Sequence, residues 1–436
     1  MYPPRSAKYK KEKKQKQQRQ SRAWLVINLS LIVLVCLFGL YFYYNSMNVR
    51  SATGTGHMPS KIVPHIPASP AERIAPEASS SEHSDAGVSS SNSPGNGEPN
   101  GGARVTTVSG LAMDPSNSVL LHFGGDTLFS GKVEQLLGSK GFDYPFQYVT
   151  SLFQQDDLTL VNLETPVTKR GTSAKDKQFV FKSPPEALHA MKQAGVDVVN
   201  LANNHTLDQG PVGLLDTLDY LKTVELGAVG AGENADQAYR PYYVDRKGIR
   251  IAVFGFSRVL PSGDWIAGPS KLGIAGVYDP TRAYAAIQSA RSQADLIIVV
   301  AHWGTERVQQ QNDTQTSLAH GFIDAGADLI VGGHPHVLQG LEQYKGKWIA
   351  YSTGNFIFTK STNAKTWETA VFEARCTKQS VCSMKLIPYD AELGQPVPMI
   401  PEDGANLLKE IGRLSPGLTV DSSGNVLAKK KGTAKQ

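Results

Sequence analysis

Unbroken apolar runs alternate with amphipathic stretches from residue 118 to residue 336. The apolar runs predict strands at 118–126, 158–164, 196–205, 249–257, 295–304 and 327–336. The stretches between them predict helices at 131–154, 184–195, 211–224, 281–294 and 314–326. Strands that are apolar at every position are buried on both faces. The pattern therefore predicts an α/β fold in which helices cover both faces of a sheet.

After residue 337 the pattern changes to short β-type runs. VLQGLEQY and KWIAYS are separated by the turn dipeptide Lys345-Gly346, and ETAVFEAR is followed by CSMKLIPY. Runs joined by such turns predict hairpins. This part of the chain is expected to form a second, more antiparallel sheet.

Residues 23–44 form an apolar run without a single charged side chain. At about 1.5 Å per residue, a helix of this length crosses a bilayer core of roughly 30 Å. Trp24 lies at one end and Tyr41, Tyr43 and Tyr44 lie at the other, as in an aromatic belt. A cleaved signal peptide is the alternative, but its apolar region is shorter and precedes a small-residue cleavage site. We expect a retained transmembrane helix.

The basic charge of the chain is concentrated before this helix. Residues 1–22 contain nine Lys or Arg against the single acid Glu12, a local charge of +8 that leaves −3 for the rest of a chain whose total is +5. The remainder therefore gives no charge-based case for nucleic-acid binding. A basic flank stays in the cytoplasm, so the residues after 45 are expected outside the cell membrane.

The composition divides the chain into five segments. They are a basic cytoplasmic tail (1–22), a transmembrane helix (23–44), a disordered extracellular stalk rich in Ser, Pro and Gly (45–117), a folded domain (118–412) and a disordered basic tail (413–436). Cys376 and Cys382 flank the sequence TKQSV between two β-runs of the folded domain. An oxidising exterior favours a disulfide between them, with two unpaired thiols as the alternative.

Ligand-type side chains stand at the carboxyl ends of five predicted strands. They are Asp126, Glu164, Asn203-Asn204-His205, His302 and His334-Pro335-His336. In open α/β sheets, ligands bind beyond these ends. Each residue taken alone has an ordinary structural explanation, such as a turn or a cap. Their repetition at one edge predicts a site for a divalent metal such as Mn, Fe or Zn. Pro335 disfavours helix before it, and an extended chain would point both neighbouring imidazoles to the same side.

The motifs around these residues resemble those of a known family. GGDTLFSG, VNLETPVT, NLANNHTLDQG, VVAHWGTE, DAGADLIVGGHPHVLQG and YSTGNFIF occur in that order between about residues 118 and 390. They are similar to the motif series of the CapA (PgsA) family of capsule and poly-γ-glutamate biosynthesis proteins, which is related to calcineurin-like metallophosphoesterases. The resemblance implies a metallophosphoesterase-like four-layer α/β/β/α sandwich for residues 118–412.

The resemblance also implies roles for single residues. The implied metal ligands are Asp126, Glu164, Asn204, His302, His334 and His336, and the implied proton donor is His205. The phosphoesterase pattern has a second histidine two residues after its first aspartate, whereas this chain has Leu128. One metal position thus keeps Glu164, Asn204, His302 and His334, and the other keeps fewer ligands. We expect one tight metal ion and a second that is weak or absent.

Two functions remain open at this point. The first is a membrane-anchored extracellular subunit required for synthesis or export of poly-γ-glutamate, which would contact the anionic polymer and the membrane. The second is a metal-dependent hydrolase acting on a phosphoester or cell-envelope substrate, with His205 as general acid. The chain lacks a Gly-x-x-x-x-Gly-Lys loop, so the ATP-dependent ligase step is assigned to cytoplasmic or membrane partner subunits of a synthase complex. A pure adhesion module would leave the clustered ligands unexplained.

Overall fold

The computed structural model describes residues 114–429, all of which fall in one compact unit, Glu98–Gln436. The predicted cytoplasmic tail, transmembrane helix and nearly all of the stalk lie outside the described residues. Between residues 114 and 429, no helix combines the length and apolarity needed to cross a bilayer.

The elements of this unit follow one another mostly as alternating strands and helices. The strands are β1 Ser118–Thr127, β2 Leu158–Leu163, β3 Val198–Asn200, β4 Gly227–Val229, β5 Ala231–Gly232, β6 Tyr242–Arg246, β7 Ile249–Ser257, β8 Gly273–Ile274, β9 Leu296–His302, β10 Leu329–Gly333, β11 Leu341–Tyr344, β12 Lys347–Ala350, β13 Asn355–Ile357, β14 Glu368–Thr377, β15 Cys382–Glu392, β16 Gln395–Pro398, β17 Leu418–Val420 and β18 Val426–Ala428. The helices are α1 Lys132–Lys140, α2 Thr150–Phe153, α3 Glu186–Gln193, α4 Gly210–Thr223, α5 Ala235–Ala238, α6 Thr281–Arg291, α7 Asp313–Asp324 and α8 Pro401–Leu414.

Two large sheets carry the fold. The first has the order β16-β15-β14-β1-β2-β3-β4, with β13 also paired to β1, and the second has the order β11-β12-β10-β9-β7-β6. β1 to β4 are mutually parallel, as are β7, β9, β10 and β12. The carboxyl ends of the parallel strands within each sheet therefore meet at one edge.

The β-rich segment after residue 337 does not form a sheet of its own, so that prediction is wrong. Its hairpin β11–β12 joins the second sheet, whereas β14, β15 and β16 extend the first sheet beside β1. The reason is that a hairpin can add to any open sheet edge of suitable register, and turn chemistry does not specify which edge.

Side-chain alternation along the strands builds four layers. On β2, Leu158 and Leu160 face the core between the two sheets, whereas Val161 and Leu163 pack with α3 and α4 on the outer face. On β9, Ile298 faces the core between the sheets, and the alternate side chains pack with α6 and α7 on the outside. The result is a mixed α/β fold in which helices cover the outer face of each sheet.

The C-terminal segment is ordered further than the sequence predicts. Residues 413–429 were assigned to a disordered tail, but α8 ends at Leu414 and β17 pairs with β18 as a hairpin. The assignment is wrong because Leu418 and Val426 are buried and join the core between the sheets. Two short strands carry too few apolar positions for the pattern to stand out from the neighbouring glycines and lysines.

The hairpin of β14 and β15 contains both cysteines of the folded domain. Cys376 and Cys382 are cross-strand partners, and their sulfur atoms are bonded at 2.04 Å. The bond closes the end of the hairpin, and Cys376 is fully buried against the core.

Candidate metal centre

The predicted ligands come together where the two sheets present their carboxyl ends. Asp126 and Glu164 come from the first sheet, and His302 and His334 come from the second; all four are buried. Asn204 is half-buried in the loop after β3, and His205 beside it is buried. The sequence-based selection therefore converges on one site shared by both sheets.

Glu164 is the central residue of the site. Its Oε1 lies 3.6 Å from His302 Nε2 and 3.9 Å from His336 Nε2. Among residues 114–429, neither of its carboxylate oxygens has a hydrogen-bond partner, although the side chain is fully buried. Burial raises the pKa of Glu164 well above its usual range, and the neighbouring charge of Asp126 raises it further. A buried carboxylate without hydrogen-bond donors is suited to bind a cation.

His302 and Asn204 place two further donor atoms beside Glu164. His302 Nε2 lies 2.8 Å from Asn204 Oδ1. On the other side of the ring, His302 Nδ1 lies 3.3 Å from the amide nitrogen of Asn162. Burial lowers the pKa of His302 well below its usual range, and the neighbouring His334 adds to the shift. The imidazole is therefore neutral. Its Nε2 donates to the Asn204 oxygen in this arrangement, and this is the nitrogen that would give up its proton to bind a metal ion.

The loop His334-Pro335-His336 is not extended, contrary to the prediction. His334 has φ 91° and His336 has φ 56°, both in the left-handed region that non-glycine residues rarely adopt. The two rings nevertheless stay within 5.8 Å of each other between centroids. Such strain persists only where surrounding contacts impose it and is typical of functional sites. Gly333 precedes the loop, and a Cβ there would lie 2.8 Å from Asp126 Oδ1.

The two histidines of this loop differ in their surroundings. His334 Nδ1 has no hydrogen-bond partner among the described residues, and burial lowers the pKa of His334 to about 3. His336 Nδ1 lies 2.9 Å from Asn355 Oδ1 and 3.2 Å from Asp126 Oδ2. Burial acts to lower the pKa of His336, but Glu164 and Asp126 outweigh it and raise the value to about 9. His334 is thus an available ligand, whereas His336 is engaged by acceptors at Nδ1 and faces Glu164 with Nε2.

The donor set fits a divalent cation. Glu164, His334 and His336 each offer a ligand atom, and these atoms lie within 4.8 Å of one another. The unpartnered buried atoms belong to Glu164 and His334. Asp126, by contrast, already accepts hydrogen bonds from the Asn162 side chain at 2.8 Å and from the His334 backbone at 3.2 Å. The atoms of Glu164 and His334 are therefore open to a cation, whereas the carboxylate of Asp126 already has hydrogen-bond donors.

His205 is held by two residues that the sequence analysis did not assign. Its Nδ1 lies 2.7 Å from Asp208 Oδ2, and Lys177 Nζ pairs with the other Asp208 oxygen. Phe181 stacks on the imidazole with ring centroids 4.3 Å apart. Lys177 Nζ is also 2.9 Å from His205 Nδ1, but one nitrogen cannot both donate to Asp208 and accept from Lys177. We assign the proton to Nδ1, which leaves Nε2 free for proton transfer.

The environment of His205 changes its acidity. Burial lowers the pKa of the His205 imidazole, and the hydrogen bond to Asp208 partly offsets this effect. Its protonated form is therefore a stronger acid than free imidazolium.

A second layer of asparagines supports the ligands. Asn162 connects Asp126 to His302, and Asn355 contacts His336. The side-chain oxygen Oδ1 of Asn162 in turn accepts hydrogen bonds from the side chains of Asn200 at 3.0 Å and Asn203 at 3.2 Å. Partners of this kind fix the orientation of ligands. Asn162 and Asn355 lie inside the motifs VNLE and GNF, so the signal was present, but their role depends on contacts that spacing does not reveal.

The backbone of Arg258 contacts one of the candidate ligands. The backbone N–H of Arg258 donates to the carbonyl of His302 at 2.8 Å. The Arg258 guanidinium lies 3.7 Å from the centroid of the Tyr278 ring, which is half-exposed.

Comparison with known proteins identifies the relatives of the chain. Residues 120–360 match the family described as bacterial capsule synthesis protein PGA_cap. The chain is 36% identical over 281 residues to the PGA biosynthesis protein CapA of Bacillus subtilis, covering 64% of this chain and 73% of that protein. It is 33% identical over 335 residues to the capsule biosynthesis protein CapA of Bacillus anthracis, covering 75% and 79%. A probable polyglutamine synthesis accessory protein of Mycobacterium tuberculosis is 31% identical over 210 residues, covering 46% and 55%.

Solved structures give weaker likenesses. A hypothetical protein from Thermus thermophilus is 14% identical with a TM-score of 0.40, covering 62% of this chain and 99% of that one. A 5'-nucleotidase from Candida albicans is 13% identical with a TM-score of 0.37, covering 63% and 52%. Scores this low do not establish a shared fold.

Proposed function

The chain belongs to the PGA_cap family of bacterial capsule synthesis proteins, and on that premise we propose that it is a membrane-anchored extracellular subunit for synthesis or export of poly-γ-glutamate. The names of its relatives support an accessory role in capsule or poly-glutamate synthesis. The apolar run 23–44 and the basic flank before it support the anchor and the outward orientation.

An outward orientation separates this protein from the energy-consuming step. Coupling glutamate units requires ATP, which is cytoplasmic, and the chain has no phosphate-binding loop of the Gly-x-x-x-x-Gly-Lys type. The ligase activity then belongs to cytoplasmic or membrane subunits of a synthase complex. This subunit acts on the polymer after it has crossed the membrane.

The observation that carries the proposal is that three buried atoms, both carboxylate oxygens of Glu164 and Nδ1 of His334, have no hydrogen-bond partner among the described residues. A buried carboxylate without a donor, next to an imidazole nitrogen without a partner, is costly unless a cation completes the site. We assign one tight divalent ion, Mn, Zn or Fe, to Glu164, Asn204, His302 and His334. Asp126 and His336 would hold a second ion weakly or not at all, because Leu128 stands where the phosphoesterase pattern has a further histidine and Asp126 already contacts His336 Nδ1. The metallophosphoesterase-like character of the site and of the four layers is part of this proposal.

A second candidate function is a metal-dependent hydrolase, favoured by the His205–Asp208 pair. A bound divalent ion would polarise an ester oxygen and activate a water molecule. Asp208 orients the His205 ring through Nδ1, so Nε2 can deliver a proton to a leaving group.

Complementation of a polymer-deficient strain tests the function. Variants His334→Ala and His205→Ala are compared with His189→Ala, a matched control whose side chain is exposed on α3. We expect His334→Ala to abolish polymer on the cell surface and His189→Ala to restore it fully. Metal analysis of each purified full-length protein shows whether the loss accompanies loss of the ion.

The His205 variant separates the two candidates. Loss of polymer in His205→Ala with the metal retained supports a hydrolytic step, whereas normal polymer supports a role in assembly alone. If His334→Ala restores normal polymer and the wild-type protein purifies without metal, the site has no part in the function.

A further inference from the structure

A groove lies far from the metal centre in sequence, between α8 and the C-terminal hairpin β17–β18. Its volume is about 480 Å³. Leu408, Leu418 and Val420 contribute apolar surface to its lining. This groove exists because residues 415–429 fold back on α8 instead of forming a free tail.

Three of the four charged residues that line the groove are cationic. Lys409, Arg413 and Lys429 line it and are exposed. Within the part of the chain that the structure describes, none of the three forms an ion pair with a carboxylate. This distinguishes them from Lys365 nearby, which pairs with Glu368 and Glu410.

The acid in the lining does not neutralise these cations. Asp421 accepts hydrogen bonds at 2.9 Å from the backbone N–H groups of Ser423 and Asn425 and at 3.0 Å from the Asn425 side chain. Its oxygens are thus used within its own turn, and the lining keeps a net positive charge.

We propose that this groove binds a linear polycarboxylate, namely the poly-γ-glutamate chain that the proposed function assigns to this protein. A γ-linked glutamate polymer carries one carboxylate per unit on a backbone with two methylene groups. The methylenes match the apolar floor, and the carboxylates match the cations at the rim. Lys409 and Arg413 lie four residues apart on α8, which places their side chains on one face, about 6 Å apart at the Cβ atoms.

Fluorescence anisotropy with labelled poly-γ-glutamate tests the groove on the full-length protein in detergent micelles. The variant K409E/R413E reverses two charges of the groove. The control K132E/K222E reverses two exposed helical lysines elsewhere that have no ion pair within residues 114–429. Both variants keep the basic residues 1–22, so binding by that segment is a common background. We expect K409E/R413E to weaken binding about tenfold or more at low salt and the control to match the wild type.

Cross-linking locates the polymer independently. A carbodiimide couples polymer carboxylates to lysine amines, and mass spectrometry should find Lys409 and Lys429 coupled more often than Lys132 and Lys222. Thermal unfolding of both variants verifies that they are folded.

The outcomes separate the groove from the function. If the wild type binds the polymer and K409E/R413E binds it equally well, the groove assignment is wrong while the polymer function stands. If the wild type does not bind at all, both are wrong. Equal affinity for polyphosphate would overturn the assignment to a polycarboxylate and indicate an unselective polyanion surface.

Discussion

Single residues of the candidate metal centre combine burial, polar atoms without hydrogen-bond partners and strained backbone. Glu164 is fully buried, and within residues 114–429 neither of its carboxylate oxygens has a hydrogen-bond partner. His334 is buried with Nδ1 in the same state, and the loop that carries it is strained. Each of these features is unfavourable alone. Together they describe a site whose free energy a bound cation would lower.

Titration of the metal-free protein with Mn²⁺ or Zn²⁺ tests the unequal positions. We expect one tight equivalent, because the resemblance to phosphoesterases puts the buried apolar Leu128 where a second metal position would have a histidine ligand. His302→Ala should remove the tight ion, and His336→Ala should largely spare it. Asn162→Ala, which frees Asp126 and His302, should weaken the affinity by about 10- to 100-fold. Calorimetry measures all three, and two equally tight equivalents would contradict the assignment.

Another buried histidine, His122, lies outside the candidate metal centre. His122 of β1 is fully buried, with Nδ1 2.7 Å from Asp156 and Nε2 3.4 Å from Glu373. Burial acts to lower its pKa, but the hydrogen bonds to the two carboxylates outweigh burial and raise the pKa above 6.5. His122 is therefore charged in the folded protein at pH values where the unfolded chain has already lost the proton.

The sign of the pH effect follows from this shift. The stabilisation from protonated His122 is fully present below pH 6.5 and is lost as the pH rises through the raised pKa of the folded state. We expect the free energy of unfolding to fall between pH 6 and pH 8 more in the wild type than in His122→Gln. Urea unfolding at both pH values measures this difference, and equal slopes would contradict it.

At the scale of elements, the strands were more predictable than the loops that carry the chemistry. β1 and β7 match their predicted bounds within one residue, because unbroken apolar runs specify a buried strand. The strand predicted for 196–205 ends at Asn200 instead. The chain leaves the sheet there because Asn203 bonds to Asn162 and to the carbonyl of Leu163. Contacts over 40 residues of separation cannot be read from a local pattern.

The same limit applies to the site. The ligand types at strand ends were readable from sequence, whereas the partners Lys177 and Asp208 of His205 depend on a loop packing against the site. The left-handed conformations of His334 and His336 were also beyond local reasoning, since Pro335 favours an extended residue before it.

The hairpin of β14 and β15 gives a prediction at this scale. Thiol labelling of the denatured, unreduced full-length protein should modify Cys36 alone, because Cys376 and Cys382 are bonded. A Cys36→Ser variant should take up no label, and reduction should restore two reactive thiols. Replacing both bonded cysteines by serine should lower the free energy of unfolding by about 2 kcal/mol, because the closed loop is short. Labelling of both without reductant would disprove the bond.

At the scale of the whole molecule, the orientation across the membrane decides which partners the folded domain can reach. The charge asymmetry around residues 23–44 predicts that residues 46–436 face the outside. This predicted orientation would put the candidate metal centre and the cationic groove on the same side of the membrane as the polymer proposed to be exported. It also explains why a disulfide suits the hairpin.

Reporter fusions after residue 60 test this orientation. A reporter that matures only outside the cytoplasm should be active, and one that is active only in the cytoplasm should be silent. Inverting the basic flank by replacing its lysines with glutamates should reduce or reverse the difference. A cytoplasmically active fusion in the unaltered chain would contradict the orientation and the assignment of ATP chemistry to partners.

The division of the ligands between two sheets has a mechanical consequence. Glu164 and Asn204 follow strands of one sheet, and His302 and His334 lie at strand ends of the other, so a bound ion would act as a staple between the two layers. In the unfolded chain these residues are far apart in sequence, and the staple can close only after both layers have assembled. The ion would thus bind only to the fully folded protein, and its removal by a chelator would weaken the packing of the two sheets first at this edge.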